Sequence, residues 1–116
     1  MSTNLQHIFV PLNLTNETSQ TLKLQFSYII EQFINNQYVT ASQIEPLRDM
    51  LSNIVSNHPK LLDLFKNKLK TGCFFALHIQ HYDPEILNLP WCIAKDSFSG
   101  KSIEDIDQIF LINNLT

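Results

Sequence analysis

Cys92, with His78 and His81 earlier in the chain, is the pairing here whose residue types suit a thiol nucleophile and its base. Such a nucleophile needs its base within hydrogen-bond reach and backbone N–H groups to receive an oxyanion. Cys92 lies between Trp91 and Ile93, with no small residues to open a turn around it, so a buried, inert thiol is expected. Cys73, followed by Phe74 and Phe75, is read the same way, and no residue is assigned a catalytic role. His78-Ile79-Gln80-His81 could supply two metal ligands, with Cys73, Cys92 or Asp83 completing the set. On a strand, however, residues three apart point to opposite faces, so neither a metal site nor a cofactor is expected. His81 then belongs to a turn at a strand end, and His78 is a partly buried packing residue whose ring N–H meets a backbone carbonyl. Glu104, Asp105 and Asp107 would need burial or convergence to do acid/base work or hold a cation; in a polar loop they are expected to be solvated. Gly100-Lys101-Ser102 ends like a phosphate loop, but the earlier glycine such a loop requires is missing, Gly72 being the only other glycine in the sequence.

Those residues must be held by a domain of ordinary composition. The 116 residues are 44% hydrophobic and 16% charged, which sets the whole of 1–116 as a single domain, or the N-terminal part of one, with a core that needs no disulfide or metal. Eight Phe, three Tyr and one Trp argue against intrinsic disorder. Eight basic residues against 11 acidic ones, with no basic cluster, exclude a phosphate-neutralising surface, so no nucleic-acid partner is expected. Two cysteines in apolar stretches, no signal-like start and no apolar run of spanning length point to a cytoplasmic chain without a membrane partner. In that compartment the N-x-T sequons at Asn13, Asn16 and Asn114 stay unmodified.

Ile8, Val10, Leu12 and Leu14 recur at period two, which predicts a first strand over 5–14, at a sheet edge because of Pro11. A helix over about 18–36 follows, capped by Thr15, Asn16, Thr18 or Ser19. Its apolar stripe is Leu22, Phe26, Ile29, Ile30 and Phe33, widened by Leu24 and Tyr28. Ser42-Gln43-Ile44-Glu45 fits a capping box for a second helix, with Pro46 in its first turn and an apolar face of Ile44, Leu47, Leu51, Ile54 and Val55. Pro59 opens a third helix over about 59–70, and Gly72 supplies its left-handed stop. Residues 73–80 are nearly all apolar and predict a strand buried on both faces, as in α/β sheets. Residues 108–112 predict one more strand after a polar loop. The fold class is therefore α/β, a layered sheet of about three strands packed with about three helices. Three strands leave an open edge that a continuation of the chain or a partner would have to cover.

Between the last two strands stands His81-Tyr82-Asp83-Pro84-Glu85-Ile86-Leu87-Asn88-Leu89-Pro90-Trp91. Asp83-Pro84-Glu85-Ile86 followed by Leu89-Pro90-Trp91-Cys92-Ile93 resembles the N-terminal part of CHAT domains, caspase-like domains of the clan that includes caspases and separase. Members carry a strand, an Asp-Pro-Glu-Leu-like turn and then Leu-Pro-Trp-Glu-Leu; Cys92 stands here in place of the Glu. The helices ahead of the Gly-bounded strand also look like that family's lead-in. The resemblance implies a partial caspase-like sheet, in which Leu89, Pro90 and Trp91 plug a strand end onto neighbouring helices. It implies a protein of bacterial signalling or defence whose intact relatives are cysteine peptidases. The family's catalytic His and Cys follow later strands with no counterpart within 1–116, so a non-catalytic front segment is implied. Its partner would be the downstream half of the domain or a signalling protein, with self-association as a further expectation. The alternative is a small intracellular protein-interaction module without peptidase kinship, binding through a sheet edge or through its second and third helices.

Overall fold

The computed structural model describes residues 5–115. In chain order the elements are β1 (Leu5–Pro11), α1 (Asn16–Ile34), α2 (Ala41–Asn57), α3 (Pro59–Lys66), β2 (Phe74–His81), α4 (Pro84–Leu87) and β3 (Ile109–Leu115). Single turns of 3₁₀ helix follow α3 (Lys68–Thr71), α4 (Trp91–Ile93) and the polar loop (Ile103–Asp105). The mixed α/β class holds, with one more helix, the single-turn α4, than the periodicity suggested.

The three strands form one parallel sheet in the order β1-β2-β3. Leu5 pairs with Phe74, Ile8 with Leu77 and Val10 with Ile79; Phe75 pairs with Ile109 and Leu77 with Leu111. That register places Ile8, Val10, Phe75, Leu77, Ile79 and Ile109 on one buried face. β1 is an edge strand and stops at Pro11, whose missing N–H cannot extend the ladder; Leu12 and Leu14 leave the strand but still pack on the core.

Helix starts and stops follow local chemistry. Thr15 caps α1, its hydroxyl accepting from the Thr18 N–H at 3.1 Å. Asn36, in the left-handed region at φ 57°, turns the chain into α2. α2 begins two residues ahead of the Ser42 box: Thr40 is its cap, and the Gln43 side chain accepts the Thr40 N–H at 2.8 Å. Gln43 takes the part expected of Glu45, and Pro46 therefore stands inside the helix rather than in its first turn. Pro46 and Ser42 are both exposed, which leaves water free to bond the carbonyl that proline cannot. Pro59 opens α3 after His58, and Gly72, at φ 78°, ends the 3₁₀ turn that follows.

Leu22, Leu47, Leu51, Val55, Leu61, Leu64 and Phe65 meet the buried sheet face in one core, which Ile86, Leu87, Leu89, Trp91 and Ala94 close. Two departures from the sequence reading matter. β2 is buried on one face along Phe75, Leu77, Ile79 and His81, while on its other face Ala76 alone is buried and Phe74, His78 and Gln80 stay half-exposed. The expected stripe of α1 is buried at Leu22 alone; Phe26 and Ile29 pack partly, and Ile30 and Phe33 are exposed.

Candidate functional site

Alternation along three strands in register collects a second set of side chains on the sheet face opposite the core. Leu5, His7 and Phe9 from β1 share that face with Phe74, His78 and Gln80 from β2 and with Phe110 and Ile112 from β3. Phe9 is 44% exposed, Leu5 48% and Phe110 53%. The rings are ordered against one another. Phe9 stacks on His78 with centroids 4.4 Å apart, and Phe74 meets Phe110 at 6.1 Å. His7 Nδ1 and His78 Nε2 lie 2.9 Å apart, within hydrogen-bond distance, joining residues 71 apart in sequence. None of these side chains is Asp, Glu, Lys or Arg. Parallel sheets occur almost only with both faces covered, and the described residues cover this one once.

The Asp83 to Ile93 stretch is built into the fold. Asp83 caps α4, its carboxylate accepting from the Glu85 N–H at 3.0 Å, and it also pairs with Lys23 Nζ of α1 at 2.5 Å. The bond to Lys23 holds the Asp83 carboxyl below its ordinary value and the Lys23 ammonium above its own. Trp91 is 1% exposed, and its indole Nε1–H donates to the Ile86 carbonyl at 2.9 Å, satisfying the donor that burial would otherwise strand. Leu89 is buried beside it, and Pro90 leads the 3₁₀ turn. Leu89-Pro90-Trp91 thus fixes the crossover between β2 and β3 against the core.

The residues singled out for chemistry are kept apart. His78 is on the open face, and His81, the last residue of β2, is on the buried one. His81 stands at the strand end, where the sequence placed it, and holds the turn that follows: it is 4% exposed, and its Nδ1 accepts from the Asp83 N–H at 3.0 Å. The Cys92 thiol is partly exposed. Burial, then the charge and hydrogen bond of Glu104, push its pKa up, away from the thiolate a nucleophile needs. Cys73, also partly exposed, receives a long contact from Gln6 Nε2 at 3.9 Å. Glu104, Asp105 and Asp107 are exposed around a 3₁₀ turn. Gly100 lies in a loop organised by Asp96, which the sequence reading passed over: Asp96 is 2% exposed and accepts from the Phe98 N–H and the Ser99 hydroxyl. Among the described residues no three His, Cys, Asp or Glu side chains gather as a metal site would require. None of their helices is long and apolar enough to cross a membrane.

A crevice of about 370 Å³ opens beyond the C-terminal end of β1, where α/β folds often hold ligands. Its polar side chains are turned on one another. Thr15 bonds Thr18, Asn57 bonds Asn53, and His58 Nδ1 accepts from the Lys60 N–H at 3.3 Å. Burial pushes the His58 pKa down, against a bond to the Pro11 carbonyl that pulls it up. Lys60 Nζ donates to the Phe9 carbonyl at 2.8 Å, so the α2–α3 corner is tied to the end of β1.

His7 and Lys60 were missed by sequence reasoning. The signal for His7 was available: it alternates with Ile8 and Val10 and is two residues from Phe9, which sets His7 and Phe9 together on the other face. Compared with known proteins, the chain matches no family model, no curated protein and no solved structure.

Proposed function

We propose that this chain acts by binding protein rather than by catalysis, through a parallel sheet that its own helices cover on one side only. The observation that carries the reading is the aromatic face of Leu5, Phe9, Phe74, Phe110 and Ile112, with ring contacts across it and no Asp, Glu, Lys or Arg on it. An exposed apolar surface of that kind is costly in water and is removed by association. β3 adds an edge with pairing groups for a further strand among the described residues.

The narrower proposal is that the chain is the front segment of a CHAT-type, caspase-like domain from a bacterial signalling or defence protein, working in the cytoplasm. Its support is the Asp83-Pro84 turn and Leu89-Pro90-Trp91, placed between two parallel strands and anchored to α1 and the core. In that reading the edge of β3 receives the following strands of the domain. The other proposal, an interaction module without peptidase kinship, draws on the same bare face.

Sedimentation of the purified chain, alone and with the polypeptide encoded immediately downstream, tests both. A complex with the downstream polypeptide supports the front-segment reading. Capture of neither that polypeptide nor any protein, by a chain that stays monomeric, would overturn protein binding itself.

A further inference from the structure

Among the described residues, His7 and His78 are the only ionisable side chains that the register sets on the open sheet face. They stand on adjacent strands, His7 opposite Ala76 and His78 opposite Phe9, and their rings meet on the diagonal. Ala76, next to His78 on that face and across the ladder from His7, is 3% exposed. His7 Nδ1 and His78 Nε2 are 2.9 Å apart and the ring centroids 5.2 Å apart. The two distances differ by about two ring radii, so the nitrogens point straight at each other along the line of centres.

A bond of that geometry needs one nitrogen with a proton and one without. It survives the charging of one ring, because an imidazolium can donate to a neutral imidazole. Phe9, stacked on His78 at 4.4 Å, then lays its face against the charge. It does not survive the charging of both: each nitrogen then carries a proton, and two cations confront each other across the bond. No acid stands by to relieve them, since the face holds no Asp or Glu among the described residues. Lys60, held against β1 by its bond to the Phe9 carbonyl, is another cation. His58 meets the Pro11 carbonyl beyond the end of β1, and His81 is on the core face.

We infer that His7 and His78 form a proton-operated latch on the aromatic face, closed near neutrality and open in acid, so that an apolar partner is held in the first state and released in the second. This rests on the protein-binding reading and adds regulation to it. Histidine is the side chain whose ordinary change of charge falls between about pH 5 and 8. When the latch opens, His7, the more exposed of the two rings, turns its charge to water and uncovers the strand beside Ala76. A face without ionised groups then carries two positive charges, and an apolar contact kept there would have to strip water from them.

Nitrogen-15 NMR reads the latch, since a hydrogen bond between two nitrogens carries a scalar coupling between them. At about pH 7.5 a coupling joins His7 Nδ1 to His78 Nε2, and His7→Gln abolishes it. As the pH is lowered in steps towards about 5, the coupling vanishes and the Ala76 methyl signal moves, while the Val10 and Leu77 methyl signals of the core face keep their folded positions. The uncharged dye Nile red serves as the apolar probe. It binds near neutrality, Phe110→Glu weakens that binding, and its affinity falls by about tenfold over the same pH range. In the double variant His7→Gln, His78→Gln that fall is absent. No coupling near neutrality, or one that lasts until the core signals collapse, would overturn the latch. So would a dye affinity that acid leaves unchanged, or that falls as steeply in the double variant; the protein-binding reading would survive either result. Dye binding that is absent, or that Phe110→Glu leaves untouched, would mean that the face makes no apolar contact and would sink both.

Discussion

The two faces of the sheet are made from the same strands by the same alternation, yet they obey different rules. On the core side Ile8, Val10, Leu77 and Ile79 are aliphatic and at most 7% exposed, and they meet helices. On the far side the residues between them are His7, Phe9, His78, Phe110 and Ile112, rings more often than branched chains, and they meet each other. Aliphatic packing needs a neighbour to interlock with, whereas rings stacked on one another, as Phe9 is on His78, shield part of each other's surface within the face. The core face holds the fold together, and the ring face is left half-exposed to water.

That contrast is exposed to experiment. The largest effect is expected where the core side is closed. Trp91→Ala removes a buried indole and its bond to Ile86 and should cost about 3–5 kcal/mol in urea unfolding. A loss below about 1 kcal/mol would place the ring outside the core.

Smaller and pH-dependent is the tie between the α2–α3 corner and β1. The native His58 pKa lies below the ordinary imidazole value, so its contribution is complete above about pH 6.5. It is lost as pH falls, because the unfolded chain takes up a proton that the native site resists. The urea midpoint should drop between pH 7.5 and 5.5, and His58→Gln should flatten that drop. Asp83 acts in the same sense at lower pH: its depressed carboxyl contributes above the ordinary aspartate value and fails as acid titrates it. Asp83→Ala should lower Tm at pH 7 and shrink the fall in Tm on going to pH 3.

The smallest effect is expected on the ring face. Phe110→Ser should change monomer stability by no more than about 0.5 kcal/mol, measured at dilutions where the chain is unassociated. A loss comparable to that of Trp91→Ala would erase the distinction between the faces.

Much of the architecture was legible in the residues. Period two in Ile8 and Val10, the apolar run after Gly72, Pro59 and the left-handed Gly72 all mark their elements where the structure has them. Capping was legible in kind but not in place, because Thr40 with Gln43 and Ser42 with Glu45 are overlapping boxes of nearly equal chemistry. The open face was not legible. A run such as Cys73 to Gln80 reads as buried on both sides by hydrophobicity alone, and only the register with His7 and Phe9 shows that its alternate residues line up with half-exposed rings. The exposure of Ile30 and Phe33 escaped for the same reason: the periodicity of α1 states which side is apolar, not whether anything lies against it. The ties from Lys60 and Gln108 reach backbone carbonyls far along the chain, and no local pattern encodes them.

The parallel pairing of β1 with β2 also has a consequence during synthesis. His7 and His78 touch across 71 positions, so the first strand emerges from the ribosome long before its ladder partner exists. At about 5–20 residues per second it waits several seconds, unpaired, while α1, α2 and α3 are made. Local helices form in microseconds, so the helical layer is ready first and β1 must return to it, the slow and non-local closure of the fold. During that interval Ile8, Phe9 and Val10 all stand in water, and only the finished sheet takes Ile8 and Val10 out of it.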